Sequence, residues 1–178
     1  GASSILMNKL HIKSPIHTFP LQAMVSQPFK PFINPLVSSS ALHCYVQQTS
    51  RGEIVFGGGS DPYPLYNTRS TLDLKESLLA HAIEMFPFMA NVKLMRQWAG
   101  MTDMTPDYSP IMGKSPYDNY YLDAGWGTWG FKSTPICGKT MAELVATGRT
   151  PDLIKPFELS RFSRFQQVNE MGATAASH

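Results

Sequence analysis

The residues of this sequence whose types and spacing could do chemistry lie in one glycine-rich loop. The loop, GWGTWGFK from Gly125 to Lys132, separates a run typical of a strand from one typical of a helix. Gly125, Gly127 and Gly130 match G-x-G-x-x-G, which in dinucleotide-binding proteins lets the backbone approach a pyrophosphate at a helix start. Two other interpretations are open: a plain structural turn, and a platform for an aromatic ring system.

The surroundings of the loop do not favour the dinucleotide interpretation. That fingerprint requires a second parallel strand ending in Asp or Glu about 20 residues further on. Glu143 stands near that distance, but it lies inside the predicted helix and no strand follows it. The indole rings of Trp126 and Trp129 would also crowd a pyrophosphate.

A flavin meets the requirements of the loop better. Backbone amides and the two tryptophans could lie against the flavin ring, and the following helix N-terminus would stabilise negative charge on the reduced ring. Lys132 would then place a cation where a substrate carboxylate could pair with it.

Composition and charge argue against several other classes of function. With 178 residues the chain has the size of one domain, and a net charge of +2 without a Lys/Arg run indicates neither nucleic acid nor an anionic membrane as partner. No apolar stretch approaches the roughly 18 residues of a membrane span, and the start lacks a signal-peptide pattern, so a cytoplasmic location is expected. Cys44 and Cys137 have no metal-ligand spacing, which predicts two buried reduced thiols and no metal.

The elements that must position the loop form a mixed pattern, which predicts an α+β fold rather than alternating βαβ units. Helices are predicted over residues 3–10, Leu74–Phe86 and Phe131–Gly148. Strands are predicted in His17–Gln27, 41–48, 53–59, Asn91–Asp103, 109–114 and 119–125, with a hairpin turn at Thr49–Gly52.

Local signals indicate where two of the helices begin and end. Asp73 is the predicted N-cap of the helix Leu74–Phe86, Glu76 completes a capping box, and Pro87 ends the helix. In the helix after the loop, Thr134 and Pro135 are predicted to cap and start the first turn. Gly148 is predicted as its C-cap.

Several motifs together resemble the FAD-dependent amine and amino-acid oxidases of the D-amino-acid oxidase class. They are W-x-G (Trp98, Gly100), T-P-D-x-x-P (Thr105 to Pro110) and G-W-G-T-x-G-F-K (Gly125 to Lys132). The stretches GASSIL, PIHTFPLQAMVS, GEIVFGGGSDPY and VNEMGATAASH extend the resemblance over the whole chain. Within this class the chain is similar to the beta subunits of heterotetrameric sarcosine oxidases.

This resemblance implies the C-terminal half of a flavoprotein: an antiparallel substrate-domain sheet plus the last strands and helix of the FAD domain. Residues 1–12 would be a remnant of the FAD domain, 13–104 the substrate domain with helix 74–86, 105–150 the C-terminal part of the FAD domain, and 151–178 a tail. The family's N-terminal Rossmann βαβ unit, which binds the ADP half of FAD, is missing from the sequence. A fragment with half of the FAD cradle is therefore expected, whether from a truncated gene, design or proteolysis.

The resemblance also assigns roles to residues. The flavin would contact Gly100 and the loop residues Gly125, Trp126, Gly127, Thr128, Trp129, Gly130 and Phe131. Lys132 would hold the substrate carboxylate. Tyr45, His43 and Arg96 are further substrate candidates, although Tyr45 could belong to the core and Arg96 could brace Asp103 or Asp107.

At some positions the sequence differs from family members, and these differences affect the expected cofactor chemistry. Gly100 stands where monomeric sarcosine oxidase has the cysteine that holds FAD covalently, which implies non-covalent FAD. That enzyme's oxygen-activating lysine would fall near Val55. The histidine that carries covalent FMN in the beta subunits is absent from this sequence.

The activity implied is the oxidation of sarcosine to glycine and a one-carbon unit. A hydride equivalent would pass from the N-methyl carbon to the flavin, and the imine would be hydrolysed or captured by tetrahydrofolate on a partner subunit. Electrons would then reach FMN and oxygen. Two alternatives remain: a related enzyme oxidising dimethylglycine, proline or glycine, and a flavin-free domain that only docks to sister subunits.

Overall fold

The computed structural model describes residues 1–168, which form two compact units. Unit 1 comprises residues 1–18 and the described residues from 102 onward, and unit 2 comprises residues 19–101. The segments 1–12 and 105–150, which the sequence assigns to the FAD domain, both fall in unit 1. The C-terminal stretch NEMGATAASH of the resemblance lies outside the described residues.

Residues 1–168 contain three α-helices, seven β-strands and three short 3₁₀ turns. In chain order they are α1 (Ser3–Lys9), β1 (His17–Pro28), β2 (Val37–Ser39), β3 (Cys44–Gln48), β4 (Glu53–Ser60), α2 (Leu72–Met85), a 3₁₀ turn (Pro87–Asn91), β5 (Leu94–Met104), β6 (Ile111–Lys114), β7 (Tyr121–Ala124), α3 (Gly130–Thr147), and 3₁₀ turns at Asp152–Phe157 and Leu159–Arg161. The α+β class is confirmed. In this part of the chain no helix is long and apolar enough to span a membrane.

Unit 2 is built on a five-stranded sheet in the order β2-β3-β4-β1-β5, whose end residues in β1 and β5 belong to unit 1. The pairings β2–β3, β3–β4 and β4–β1 are antiparallel. The predicted hairpin turn is confirmed: Gly52 has a φ of +103°, and the Thr49 N–H donates to the Glu53 carbonyl at 2.8 Å.

Helix α2 covers one face of this sheet because its apolar stripe meets alternate residues of the strands. Leu78 and Ala82 are buried against Met24, Val46 and Phe56. The opposite face carries Tyr45, Gln47, Val25, Val55 and Gly57, which are neighbours by strand register. We call these five residues the open face of the sheet.

The predicted start of α2 is wrong by two residues. Asp73 is the second helical residue, Thr71 is the residue before the helix, and no side chain caps the helix, so the capping box with Glu76 is absent. The reason is tertiary: the Thr71 N–H donates to Gln22 Oε1 at 3.1 Å, and the Thr71 hydroxyl donates to Asp61 Oδ1 at 2.8 Å. These bonds to distant residues fix where the helix begins.

Unit 1 is built around the β6–β7 hairpin, which has a core on each face. Ile111 packs in a cluster with Met7, Ile12, Ile16 and Leu122 on the α1 side. The next residue, Met112, points the other way and packs with Cys137 and Leu144 of α3 and with Ile154. The alternation of strand side chains thus holds α3 on one face of the hairpin. The predicted strands here are confirmed.

The start of α3 also differs from the prediction. The helix begins at Gly130, so Pro135 is its sixth residue and not part of its first turn. Thr134 does not cap the helix; its hydroxyl donates back to the Gly130 carbonyl at 2.9 Å, inside the helix. Gly148 ends the helix with a φ of +69°, which confirms the predicted C-cap.

Both cysteines are buried, as predicted, and neither is in a disulfide. Burial raises the pKa of the Cys44 thiol to about 11, so this group stays protonated at neutral pH.

Candidate functional site

The glycine loop between β7 and α3 packs directly against the end of β5 and the residue after it. The Gly127 N–H donates to the Asp103 carbonyl at 2.8 Å. A Cβ atom added at Gly125 would lie 2.7 Å from Thr105 Cγ2, and one added at Gly127 would lie 2.7 Å from Met104 Sδ. Both glycines have a positive φ, +73° and +53°.

This packing explains the glycine spacing without a pyrophosphate. Gly125 and Gly127 are required because the chain approaches itself there in a left-handed conformation. Gly130 is the first helical residue, and a Cβ atom there would lie 3.2 Å from Trp126 Cβ. The G-x-G-x-x-G pattern therefore serves a turn that delivers the chain into α3.

The N-terminus of α3 is open to a ligand. Trp129 precedes the helix and no side chain caps it, so the first-turn N–H groups lack partners within the helix. Phe131 is 97% exposed and Lys132 is also exposed. Because the positive end of the helix dipole lies here, this end suits an anion or an electron-rich carbonyl group.

The two tryptophans of the loop have different surroundings. Trp126 donates its indole N–H to Asp123 Oδ1 at 2.6 Å and packs on the α3-side core. Trp129 instead lies beneath Lys132, whose Nζ is 4.3 Å from the centroid of the Trp129 ring. Trp126 anchors the loop, whereas Trp129 holds the lysine ammonium by a cation–π contact.

A cavity of about 310 Å³ adjoins the loop within unit 1. Trp126, Trp129 and Lys132 form part of its wall, and the other lining residues are mostly apolar: Tyr108, Pro110, Met112, Ser133, Ile136, Cys137, Thr140, Leu153, Ile154 and Phe157. Lys132 is its basic residue, so the cavity combines an apolar wall with one cation.

Thr102 is a candidate that the sequence did not indicate. It is buried beside Asp103, and its hydroxyl has no hydrogen-bond partner among the described residues. A buried, unsatisfied hydroxyl marks a position where a polar ligand atom or water can bond. No sequence signal could have found it, because the lack of a partner depends on the three-dimensional surroundings.

The remaining predicted site residues lie in unit 2. Tyr45 is on the open face, and burial, with a smaller effect of Cys44, raises its pKa. His43 precedes β3 with a φ of +45°. Arg96 and Gly100 are exposed on the edge strand β5. Strands β4 and β1 separate β3 from β5, so these two strands are roughly 14 Å apart by strand spacing, and Tyr45 and Arg96 do not form one cluster.

The brace predicted for Arg96 is made by a different arginine. Arg161 binds Asp107 through Nε at 2.8 Å and Nη2 at 2.9 Å, and both side chains are 2% exposed. Burial alone raises the pKa of Asp107, but the bonds from Arg161 and backbone N–H groups outweigh it and lower the pKa. Asp103 instead accepts a bond from the Thr18 hydroxyl at 2.8 Å.

Within residues 1–168, no group of three or more His, Cys, Asp or Glu side chains is placed to hold a metal ion.

Comparison with protein families identifies the fold. A family model described as FAD dependent oxidoreductase (DAO) matches residues 1–144. The chain belongs to this family. Its sequence is 42% identical over 178 residues to sarcosine oxidase subunit beta of Rhodobacter capsulatus and 40% identical to that of an Arthrobacter species. All of this chain is matched, but it spans only 43% and 44% of these relatives' lengths.

Solved structures of the same class share the fold. The L-proline dehydrogenase of P. horikoshii is 29% identical with a TM-score of 0.84, over 94% of this chain and 46% of that one. The glycine oxidase of Geobacillus kaustophilus is 21% identical with a TM-score of 0.79, over 89% and 42%, which shows the fold alone. The resemblance to this class that the motifs indicate is confirmed.

Replacing Gly125 with alanine should destabilise the loop. The left-handed φ costs an alanine roughly 1–2 kcal/mol, and the clash with Thr105 Cγ2 adds an overpacking cost of about 1–3 kcal/mol. We expect a lower urea midpoint for Gly125→Ala. The matched control is Gly138→Ala in α3, where nothing lies within 4 Å and stability should rise by up to about 1 kcal/mol. Equal midpoints for Gly125→Ala and the parent would show that the loop does not pack as described.

Proposed function

We propose that this chain is the substrate-side part of an FAD-dependent amine oxidoreductase that oxidises sarcosine. The observation that supports this most is the uncapped N-terminus of α3, beside the exposed Lys132, in a chain of an FAD-dependent family. Relatives that match the whole chain are beta subunits of sarcosine oxidase. In this proposal the loop and the start of α3 bind the flavin and the substrate.

The residues present fit a flavin. The free N–H groups at the start of α3 are hydrogen-bond donors of the kind that the pyrimidine end of a flavin needs. The exposed ring of Phe131 and the backbone of Gly127 to Gly130 would line it. Gly100 has no thiol, so FAD would be held without a covalent bond there.

We propose that an ADP-binding βαβ unit of the family's kind completes the FAD site. The chain spans less than half of its relatives' lengths, and alone it would contact only one end of FAD. Loss of the pyrophosphate contacts and of preorganisation would make its own affinity for FAD weak. We call the assembly of this chain, the ADP-binding unit and FAD the holoenzyme.

In the holoenzyme, Lys132 would bind the substrate carboxylate. Its ammonium lies on the Trp129 ring at the helix start, and the same helix end adds positive potential. Holding the carboxylate there would leave the N-methyl group pointing away from Lys132, and the positive charge near the substrate would disfavour the protonated amine. FAD, when bound, supplies the acceptor for a hydride equivalent from that carbon.

The substrate is proposed as a small secondary α-amino acid. Sarcosine carries a carboxylate for Lys132 and one N-methyl group. The similar L-proline dehydrogenase favours L-proline as the second candidate, because proline is also a secondary amino acid with a free carboxylate. Dimethylglycine and glycine offer the same carboxylate with a different amine.

Further parts of the proposal follow from the subunit relatives. Other sarcosine oxidase subunits, tetrahydrofolate as acceptor of the one-carbon unit, and FMN as a second flavin would belong to the complete assembly. The competing proposal is a flavin-free domain that docks to sister subunits, and it predicts a colourless protein.

Anaerobic reduction of the flavin tests the proposed function. Sarcosine should bleach the 450-nm absorbance expected of oxidised flavin in the holoenzyme, faster at equal concentration than dimethylglycine or glycine. A higher second-order rate with L-proline would reassign the substrate to the second candidate. A holoenzyme that is bleached by none of the four amines would contradict the proposal, and so would an assembly of this chain with the ADP-binding unit that binds no FAD.

Replacing Lys132 with methionine should weaken carboxylate binding selectively. A charge-assisted bond contributes about 1.5–3 kcal/mol, so affinity for acetate-like inhibitors should fall roughly ten- to more than hundredfold. FAD content should stay unchanged. Lys139→Met, on the same helix and also exposed, is the matched control and should keep the parent affinity. Parent-like inhibitor binding in Lys132→Met would rule out the role of Lys132.

A further inference from the structure

Arg161 uses every hydrogen bond that it can make. Its Nε and one Nη2 N–H bind the two Asp107 oxygens, and the other Nη2 N–H binds the Ser109 carbonyl at 2.8 Å. Its Nη1 group donates to the carbonyls of Phe157 at 2.9 Å and Glu158 at 3.3 Å. Five donors thus have acceptors, and only a guanidinium can supply this fork.

Two of the residues that Arg161 binds, Asp107 and Ser109, lie in one tight turn, 105–110. In this turn the Tyr108 N–H donates to the Thr105 carbonyl at 3.1 Å, and Tyr108 has a φ of +55°. Asp107 also accepts N–H groups from Ser109 at 3.2 Å and Val168 at 3.1 Å. A turn with a non-glycine residue at positive φ needs such external support to persist.

The same turn supports the glycine loop. The Ser109 carbonyl, which accepts from Arg161, also accepts the Thr105 hydroxyl at 2.7 Å. This bond fixes the rotamer of Thr105, and its methyl group is the atom that leaves no room for a Cβ at Gly125. The contacts therefore run from Arg161 through Ser109 and Thr105 to the loop that leads into Lys132.

We propose that Arg161 is a positioning residue: acting through the 105–110 turn, it fixes the glycine loop so that Lys132 and the α3 N-terminus align with flavin and substrate. This inference rests on the proposed function. Removing the support would let the loop shift without removing any group that touches the ligand. An error of about 1 Å in such a placement can cost on the order of a hundredfold in rate.

The test compares Arg161→Lys, Arg161→Gln and Asp107→Asn in the holoenzyme, with all values normalised to bound FAD. The readouts are the limiting rate of flavin reduction at saturating sarcosine (or the amine that reduces the parent fastest) and the Kd of acetate. We expect the limiting rate to fall about ten- to hundredfold and the acetate Kd to rise in each variant. Arg161→Lys, with three donors instead of five, should lie between Arg161→Gln and the parent.

Arg164→Lys is the matched control. Arg164 lies three residues further on and pairs with Glu158 at 3.2 Å, but it is 54% exposed, so both readouts should stay at the parent values. A merely structural Arg161 would lower the yield of folded protein while each FAD-loaded molecule kept the parent's limiting rate and acetate Kd. That result in Arg161→Lys or Asp107→Asn would overturn the inference alone. A parent holoenzyme that neither reduces its flavin nor binds acetate would overturn the proposed function instead.

Discussion

The hydrogen bond from the Gly127 N–H to the Asp103 carbonyl is the interaction on which the candidate site depends. It joins the glycine loop to the last strand of the larger sheet, and two glycines allow the close approach that the bond requires. The features that carry the proposed chemistry lie at the end of this loop. The first turn of α3, the ring of Trp129 and the ammonium of Lys132 are placed by where this loop rests.

Positive charge is concentrated at the N-terminus of α3 without a compensating acidic or capping side chain, and this lowers the stability of the helix. An N-cap side chain at α3 would contribute about 0.5–2 kcal/mol, yet Trp129 occupies that position and no side chain caps the helix. Lys132 adds a positive charge at the positive end of the helix dipole, where an acidic residue would stabilise the helix instead. Such an arrangement suits a protein that binds an anionic or electron-rich group at this end.

Sequence patterns predicted the parts of the fold that local chemistry controls. The turn at Gly52 and the end of α3 at Gly148 are specified by residues close to one another in the chain. The glycines mark the loop from Gly125 to Lys132, but its position is set by Asp103, Met104 and Thr105, earlier in the chain. The start of α2 is different, because Thr71 is fixed by Gln22 and Asp61, 49 and 10 residues away. The same holds for Arg161, which lies in the C-terminal tail, where the sequence shows no helical or strand periodicity. It binds Asp107, 54 residues earlier. Neither contact has a local signature.

In the proposed holoenzyme the N-terminus of α3 would face the flavin. Hydrogen–deuterium exchange of the holoenzyme, compared with the same protein stripped of FAD, tests this most directly. FAD should slow exchange at the amides of Gly130, Phe131 and Lys132, because these N–H groups have no partner within the helix and would gain one from the ligand. Unchanged exchange at these three amides, with FAD bound at full occupancy, would contradict it.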